Sequence, residues 1–296
     1  MMPPGVADRR AASAVRSGRF IILVILAILT ATGIWQWLSR PDQRRNPVQS
    51  ACEDMVFEGS SFTICRFDPQ QHDFRLAATK ADGAPLLTFA NLAALMGSDA
   101  QRIVFAMNAG MYDLKGRPIG LYVENAVEEH ALNRRAGGGN FHMMPNGVFW
   151  QDIAGMHVAP TDDFADSRPA SVKFATQSGP MLVINGALHP RFSADGTSRK
   201  LRNGVGVTAN GDALFVISNA PVSFGKLARL FRDHLACPNA LFLDGFVSSL
   251  WDGASGRIDQ RVPLGPMIVV TEQATGQTAG PLTAPAAPPS VSVDLR

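Results

Sequence analysis

From Cys52 onward, apolar residues fall in short runs broken by glycine and Asn-Gly turns, a pattern that predicts many strands and few helices. Strands are expected at 62–67, 74–78, 103–107, 119–124, 128–132 and 147–151. Further strands are expected at 172–176, 181–184, 205–208, 213–218, 240–243 and 267–270. Asn210-Gly211, between two of these runs, marks a hairpin. Two segments read as helices. Residues 86–96 are apolar almost all round, which implies burial. Phe224, Leu227, Ala228, Phe231 and Leu235 form one stripe at helical spacing, with Ser223 placed to cap it. The expected fold class is α+β, a single domain of mostly antiparallel sheets with a few packed helices.

The two ends of the chain break this pattern. Residues 1–19 are basic. The run from Phe20 to Leu38 carries no charge, is flanked by Arg16, Arg19 and Arg40, and as a helix would rise about 28 Å, roughly a bilayer's hydrocarbon core. Trp35 and Trp37 sit near one end, where an aromatic belt lies. A cleaved signal peptide ending near Ala31-Thr32-Gly33 is the rival reading. An uncleaved anchor is preferred because Ile34 to Leu38 prolong the apolar run. The folded domain is then expected to lie in the periplasm or outside the cell, held at the inner membrane by 20–38 or secreted after cleavage. Residues 39–51 read as a linker. Residues 271–296, rich in Pro, Ala, Thr and Ser, bury too little apolar surface to fold. The folded domain is therefore expected at 52–270.

Charge narrows the classes of function. With 27 Lys and Arg against 25 Asp and Glu, the net charge is +2, and the basic residues are scattered beyond the N-terminus, so nucleic acid is not an expected partner. Cys52 and Cys65, with twelve residues between them, suit a disulfide in an oxidising space, although buried thiols remain the alternative; Cys237 is left over.

Familiar catalytic signatures fail in context. Gly204-Val205-Gly206-Val207-Thr208-Ala209 matches a dinucleotide fingerprint in letters alone, since a polar stretch precedes it and a hairpin follows. Gly137-Gly138-Gly139 lacks the lysine of a phosphate loop, and there is neither a GxSxG elbow nor an HExxH helix. No cofactor is expected, and the histidine and cysteine spacings name no metal.

Several polar segments remain. Asn108-Ala109-Gly110 closes an apolar strand, where an amide and a small residue let a ligand approach the backbone, while Asp113 to Gly116 reads as a hairpin tip. Asn140, His142 and Asn146 crowd amide and imidazole groups between strands. Gln177-Ser178-Gly179 precedes another strand. Ser198-Arg199-Lys200-Leu201-Arg202-Asn203 concentrates cations beside a glycine, suited to an oxyanion and equally to a solvated loop. Asp244 follows an apolar strand, an address shared by catalytic acids, helix caps and turn aspartates.

In their order along the chain, Asn108-Ala109-Gly110-Met111-Tyr112, Gly120-Leu121-Tyr122-Val123-Glu124, Gly139-Asn140-Phe141-His142 and Pro145-Asn146-Gly147-Val148 resemble segments of the phosphodiester glycosidase domain. So do Gln177-Ser178-Gly179-Pro180, Arg202-Asn203-Gly204-Val205-Gly206-Val207 and Ala240-Leu241-Phe242-Leu243-Asp244-Gly245. The resemblance covers 52–270, is closest to the bacterial exported branch, and implies an enzyme that cuts a sugar from a phosphodiester. It departs at Phe246-Val247, where many members have glycines, a bulkier pair expected to narrow the pocket, and at Ala109.

A phosphate leaving group tolerates charge and needs less protonation than an alcohol. The resemblance therefore implies Arg202, helped by Arg199 or Lys200, as the holder of phosphate, and Asp244 as base or as stabiliser of a cationic centre. Asn108, Gly110, Asn140, His142, Asn146, Gln177, Ser178, Gly179, Asn203 and Ser248 are the expected substrate contacts. The expected partner is a sugar phosphodiester or an envelope glycan, and the alternative is a periplasmic module that binds such a ligand without cleaving it.

Overall fold

A computed structural model describes residues 50–259 and 262–273. The apolar run 20–38, most of the linker and the tail beyond 273 lie outside the described residues. Among those described, no helix is long and apolar enough to cross a membrane.

In chain order the strands are β1 (Cys52–Phe57), β2 (Ser60–Phe67), β3 (His72–Ala77), β4 (Ile103–Asn108), β5 (Tyr122–Glu124), β6 (Val127–His130), β7 (Gly147–Asp152) and β8 (Gly155–Pro160). They continue with β9 (Phe174–Ser178), β10 (Met181–Ile184), β11 (Ala187–Leu188), β12 (Asn203–Val207), β13 (Ala213–Ser218), β14 (Asn239–Phe242), β15 (Leu250–Asp252), β16 (Arg257–Ile258) and β17 (Met267–Glu272). Among the described residues three α-helices join them: α1 (Phe89–Met96), α2 (Thr161–Asp166) and α3 (Phe224–Arg229). The fold is α+β, and every strand pair is antiparallel.

The strands make three sheets, ordered β1-β2-β13-β12-β14-β10-β11, β16-β15-β4-β17-β3 and β6-β5-β9-β7-β8. All three turn one face inward onto a shared core that includes Phe67, Phe105, Phe149, Phe174 and Phe215. The Phe105 and Phe215 rings lie 4.8 Å apart, with Phe149 5.9 Å from Phe215, so one aromatic cluster joins all three sheets. Each outer face has its own cover. α3 packs on the first sheet against Leu182, Leu214 and Val216; α1 covers the second through Phe89 and Leu92; α2 covers the third by setting Phe164 against Trp150.

Two-sided burial explains the unbroken apolar run of β13. Ala213, Phe215 and Ile217 enter the shared core, while Leu214 and Val216 meet α3. Asn210-Gly211 turns the chain between β12 and β13 as expected, with Gly211 at φ +90. Strands not anticipated are β1, β8, β11, β15 and β16. β1, CEDMVF, lies at a sheet edge where the adjacent, exposed Glu53 and Asp54 break the apolar pattern, and β11 and β16 are only two residues long. The expected helix at 86–96 begins only at Phe89, where the Thr88 hydroxyl accepts from the Asn91 amide. Ser223 caps α3 as its position predicts, accepting from Lys226 N at 3.1 Å, and the chain continues through a wider helical turn to His234. Cys52 and Cys65 are direct cross-strand partners and are disulfide-bonded, which suits an extracellular or periplasmic domain.

Candidate active site

The antiparallel registers bring one set of strand ends together. In the first sheet β14 ends at Phe242 beside the start of β12 at Asn203 and of β10 at Met181, and Phe242 N donates to Pro180 O at 3.0 Å. In the second, β4 ends at Asn108 beside the start of β17. In the third, β9 ends at Ser178 beside the start of β7. The motif residues far apart in sequence therefore share a single rim.

Segment 108–110 ties the sheets together there. Ala109 O accepts from Asp244 N at 3.2 Å, and Gly110 N donates to Thr176 Oγ1 at 3.1 Å. A side chain at Gly110 would collide with the Gln177 carbonyl and the Thr176 hydroxyl, so this close approach requires glycine.

Asn108 is 1% exposed, and its amide anchors the strand end that carries Asp244. Its Nδ2 donates to Asp244 O at 2.8 Å, while its Oδ1 accepts from Asn203 Nδ2 at 2.9 Å and from Ser249 N at 3.0 Å. The Ser248 hydroxyl donates to Gly245 O at 3.0 Å and lies 3.3 Å from Asn203 Oδ1. Asn108, Asn203 and Ser248 thus form a buried scaffold beneath Asp244, and their burial corrects the expectation that they meet substrate directly. Gln177 is corrected likewise. Its Oε1 accepts from Leu121 N and Asn133 N, both at 2.9 Å, and its Nε2 donates to Asn133 O and Thr161 Oγ1 at 2.8 and 3.1 Å, leaving no polar capacity for a ligand.

Asp244 is half-buried, and its carboxylate accepts from Phe246 N at 3.2 Å. Burial raises its pKa to about 6. Nearby Tyr112, whose hydroxyl donates to Pro263 O at 2.7 Å, is pushed up to about 12, first by burial and then by the charge of Asp244.

Arg202 lies on the same rim but shares no ion pair with Asp244. Its Nε donates to Val222 O at 2.9 Å and one Nη to Ser198 O at 3.0 Å, while its guanidinium stacks on Phe224 at 3.5 Å. It is 2% exposed, has no carboxylate partner among the described residues, and burial lowers its pKa to about 10. Its guanidinium is 5.4 Å from the centre of the Phe242 ring, the same ring that packs against Gly245. Arg199 and Lys200 are exposed on the preceding loop.

A cleft crosses this rim as three depressions. One of about 480 Å³ is lined by Asp244, Tyr112, Lys115 and Phe246. It shares Asp113, Lys115 and Gly116 with a second of about 810 Å³ that contains Arg135 and His142. A third, of about 600 Å³, shares His142 and reaches Asn146 and Asp162. His142 donates its Nδ1–H to Arg135 O at 2.9 Å, since the carbonyl can only accept, and its Nε2 is the other ring nitrogen. Asn146 is wholly buried: its Nδ2 donates to Phe141 O at 3.0 Å, and its Oδ1 is without a partner, as is the buried Ser178 Oγ. Gly179 packs against Asn146 and Phe141, and Asn140 is exposed. Among the described residues, no group of three His, Cys, Asp or Glu side chains is arranged to hold a metal ion.

Both residues of the bulkier pair after Asp244 line the depression that contains it. Val247 is buried under α1, while the Phe246 ring projects outward, 89% exposed. The sequence reading missed Lys115, Arg135 and Tyr112 as lining residues. Tyr112 closes the segment Asn108-Ala109-Gly110-Met111-Tyr112, and nothing local distinguishes the two cations from solvated charges.

The phosphodiester glycosidase family model matches residues 101–271, from just before β4 into β17. The uncharacterised protein YigE of Escherichia coli (strain K12) is 34% identical over 222 residues, 74% of this chain and 86% of that protein. Among solved structures, the catalytic domain of zebrafish N-acetylglucosamine-1-phosphodiester alpha-N-acetylglucosaminidase shares the fold. Its TM-score is 0.53 at 14% identity, covering 75% of this chain and 82% of that one. The chain belongs to the phosphodiester glycosidase family.

Proposed function

We propose that the chain hydrolyses the bond between the anomeric carbon of a sugar and a phosphodiester oxygen, in the cell envelope, with Asp244 as the reactive carboxylate. The observation that carries this reading is the placement of Asp244: a half-buried carboxyl of raised pKa, held at a strand end by Asn108, opening into a cleft that also contains the cation Lys115. A carboxyl that titrates at about 6 is ionised at neutral pH yet basic enough to accept a proton from water.

In the proposed reaction, water adds its oxygen to the anomeric carbon as Asp244 accepts its proton. The anomeric C–O bond breaks, and its electron pair leaves on the phosphate as a phosphomonoester. Lys115 on the cleft wall favours the charge that builds on phosphate, and the exposed Arg199 and Lys200 stand on the loop before Arg202, whose own guanidinium is buried against Phe224. His142 and exposed Asn140 are the polar groups open to the sugar. The zebrafish relative is named for action on an N-acetylglucosamine-1-phosphodiester, which fits this substrate class. Anchoring through 20–38 would keep the domain at the membrane surface.

The test is incubation of the purified full chain with sugar-1-phosphodiesters in oxygen-18 water. Label in the free sugar, lost in Asp244→Asn, is the expected result. Label in the phosphate would make the enzyme a phosphodiesterase and overturn the mechanism, whereas binding with no product would favour a binding module.

A further inference from the structure

Two large apolar side chains stand almost fully in solvent on the wall of the depression that contains Asp244. Leu114, at the tip of the 113–116 turn, is 108% exposed, and Phe246 is 89% exposed. Single exposed apolar residues are ordinary. Here both line one cavity, together with Leu87, Val262 and Pro263. The polar groups of that cavity are concentrated at Asp244, Tyr112, Asp113 and Lys115, and Asp113 is already paired with Arg117 at 2.8 Å. Lys115 has no ion pair among the described residues and also faces the adjoining cleft with Arg135 and His142.

The cavity is therefore amphipathic, with apolar walls, a carboxyl and an unpaired ammonium. We propose that it takes an amphiphilic substrate, a sugar phosphodiester whose phosphate bridges the sugar to an alkyl, acyl or prenyl chain, with Phe246 and Leu114 gripping the chain. Charge complementarity with Lys115 fixes the anionic phosphate beside Asp244, and the apolar part of the ligand removes the two exposed side chains from water. Phe246 is well placed for this role because its backbone N–H donates to the Asp244 carboxylate, which keeps the residue that carries the ring beside the reacting group. A chain-bearing substrate also suits a protein whose sequence includes the uncharged apolar run 20–38.

The inference rests on the proposed reaction for the identity of the head group, and one experiment separates the two. The full chain is given two probes that differ only in the aglycone, the methyl and the octyl phosphodiester of the same sugar 1-phosphate, with octyl kept below its micelle concentration. Turnover is followed in the wild type, and affinity is measured by calorimetry in Asp244→Asn. The octyl probe is expected to exceed the methyl probe by about tenfold or more in kcat/KM and in affinity, because partial burial of its methylenes suffices for that ratio. Phe246→Ser combined with Leu114→Ser is expected to bring the ratio close to one without lowering the melting temperature, since neither side chain is in a core. Preferential octyl binding without cleavage would sink the reaction and leave the apolar grip standing. Cleavage of both probes at equal rates, equal affinity, or no octyl binding at all would overturn the grip.

Discussion

In the proposed reaction, one pKa of Asp244 would couple function to stability. Its folded-state value of about 6 stands above the ordinary carboxylate value of 3.8, so the folded protein holds this proton more tightly than the unfolded chain does. Stability from this group is complete below about pH 4, falls as pH rises towards 6, and is then constant at a cost of at most about 3 kcal/mol. Asp244→Asn keeps an acceptor for Phe246 N and removes the charge. It is expected to melt higher than wild type at pH 7 and at the same temperature near pH 4, as calorimetric scans at the two pH values would read. The rate has the opposite dependence: kcat/KM should climb as pH passes 6 and then level off, and a falling profile would exclude Asp244 as base. Asn108 is a positioning residue, so Asn108→Ala should cost about 2–3 kcal/mol in denaturant unfolding by stranding Asn203 and the Ser249 amide. Cys237 is 1% exposed, and burial pushes its thiol up to about 12, so thiol reagents should label it only in denaturant.

At the scale of elements, the β1–β2 hairpin supplies an edge of the first sheet, and none of the six residues of its edge strand is fully buried. The Cys52–Cys65 bridge holds it there. Replacing both cysteines with alanine is expected to lower stability by about 2–3 kcal/mol, measured by denaturant unfolding, through the freedom regained by the unfolded chain. The hairpin of β12 and β13 and the cap of α3 were both readable because each is a local signal: Asn-Gly for the turn, and a serine hydroxyl ahead of an apolar stripe. β8 was not readable. Its core residues Met156 and Val158 alternate with less buried ones over too short a span to stand apart from the turn before it.

For the whole molecule, the shared core decides cooperativity. Phe215 sits where rings from all three sheets meet, so Phe215→Ala should cost about 3–5 kcal/mol and lower the unfolding midpoint of every probe together. The strand ends that form the rim of the candidate site are held only because these sheets pack on one another, so under the proposed function loss of the core should lower activity along with stability.

The sequence by itself determined the strand-rich α+β class, most strand positions, the helix stripe of 224–235 and the family, because periodicity, turn chemistry and motif order are properties of neighbouring residues. It also marked Asp244 and Asn108 as polar groups at strand ends, and Arg202 as one of a cluster of cations beside a glycine. Only the tertiary structure decided their work. Asn108, Asn203 and Gln177 became scaffold because burial and hydrogen bonding used up their polar atoms. Lys115, a turn residue with no local mark, became part of the cleft, and Phe246 swung outward to its mouth. Which side of a strand end meets solvent depends on what packs behind it, and that comes from residues 44 to 136 positions away.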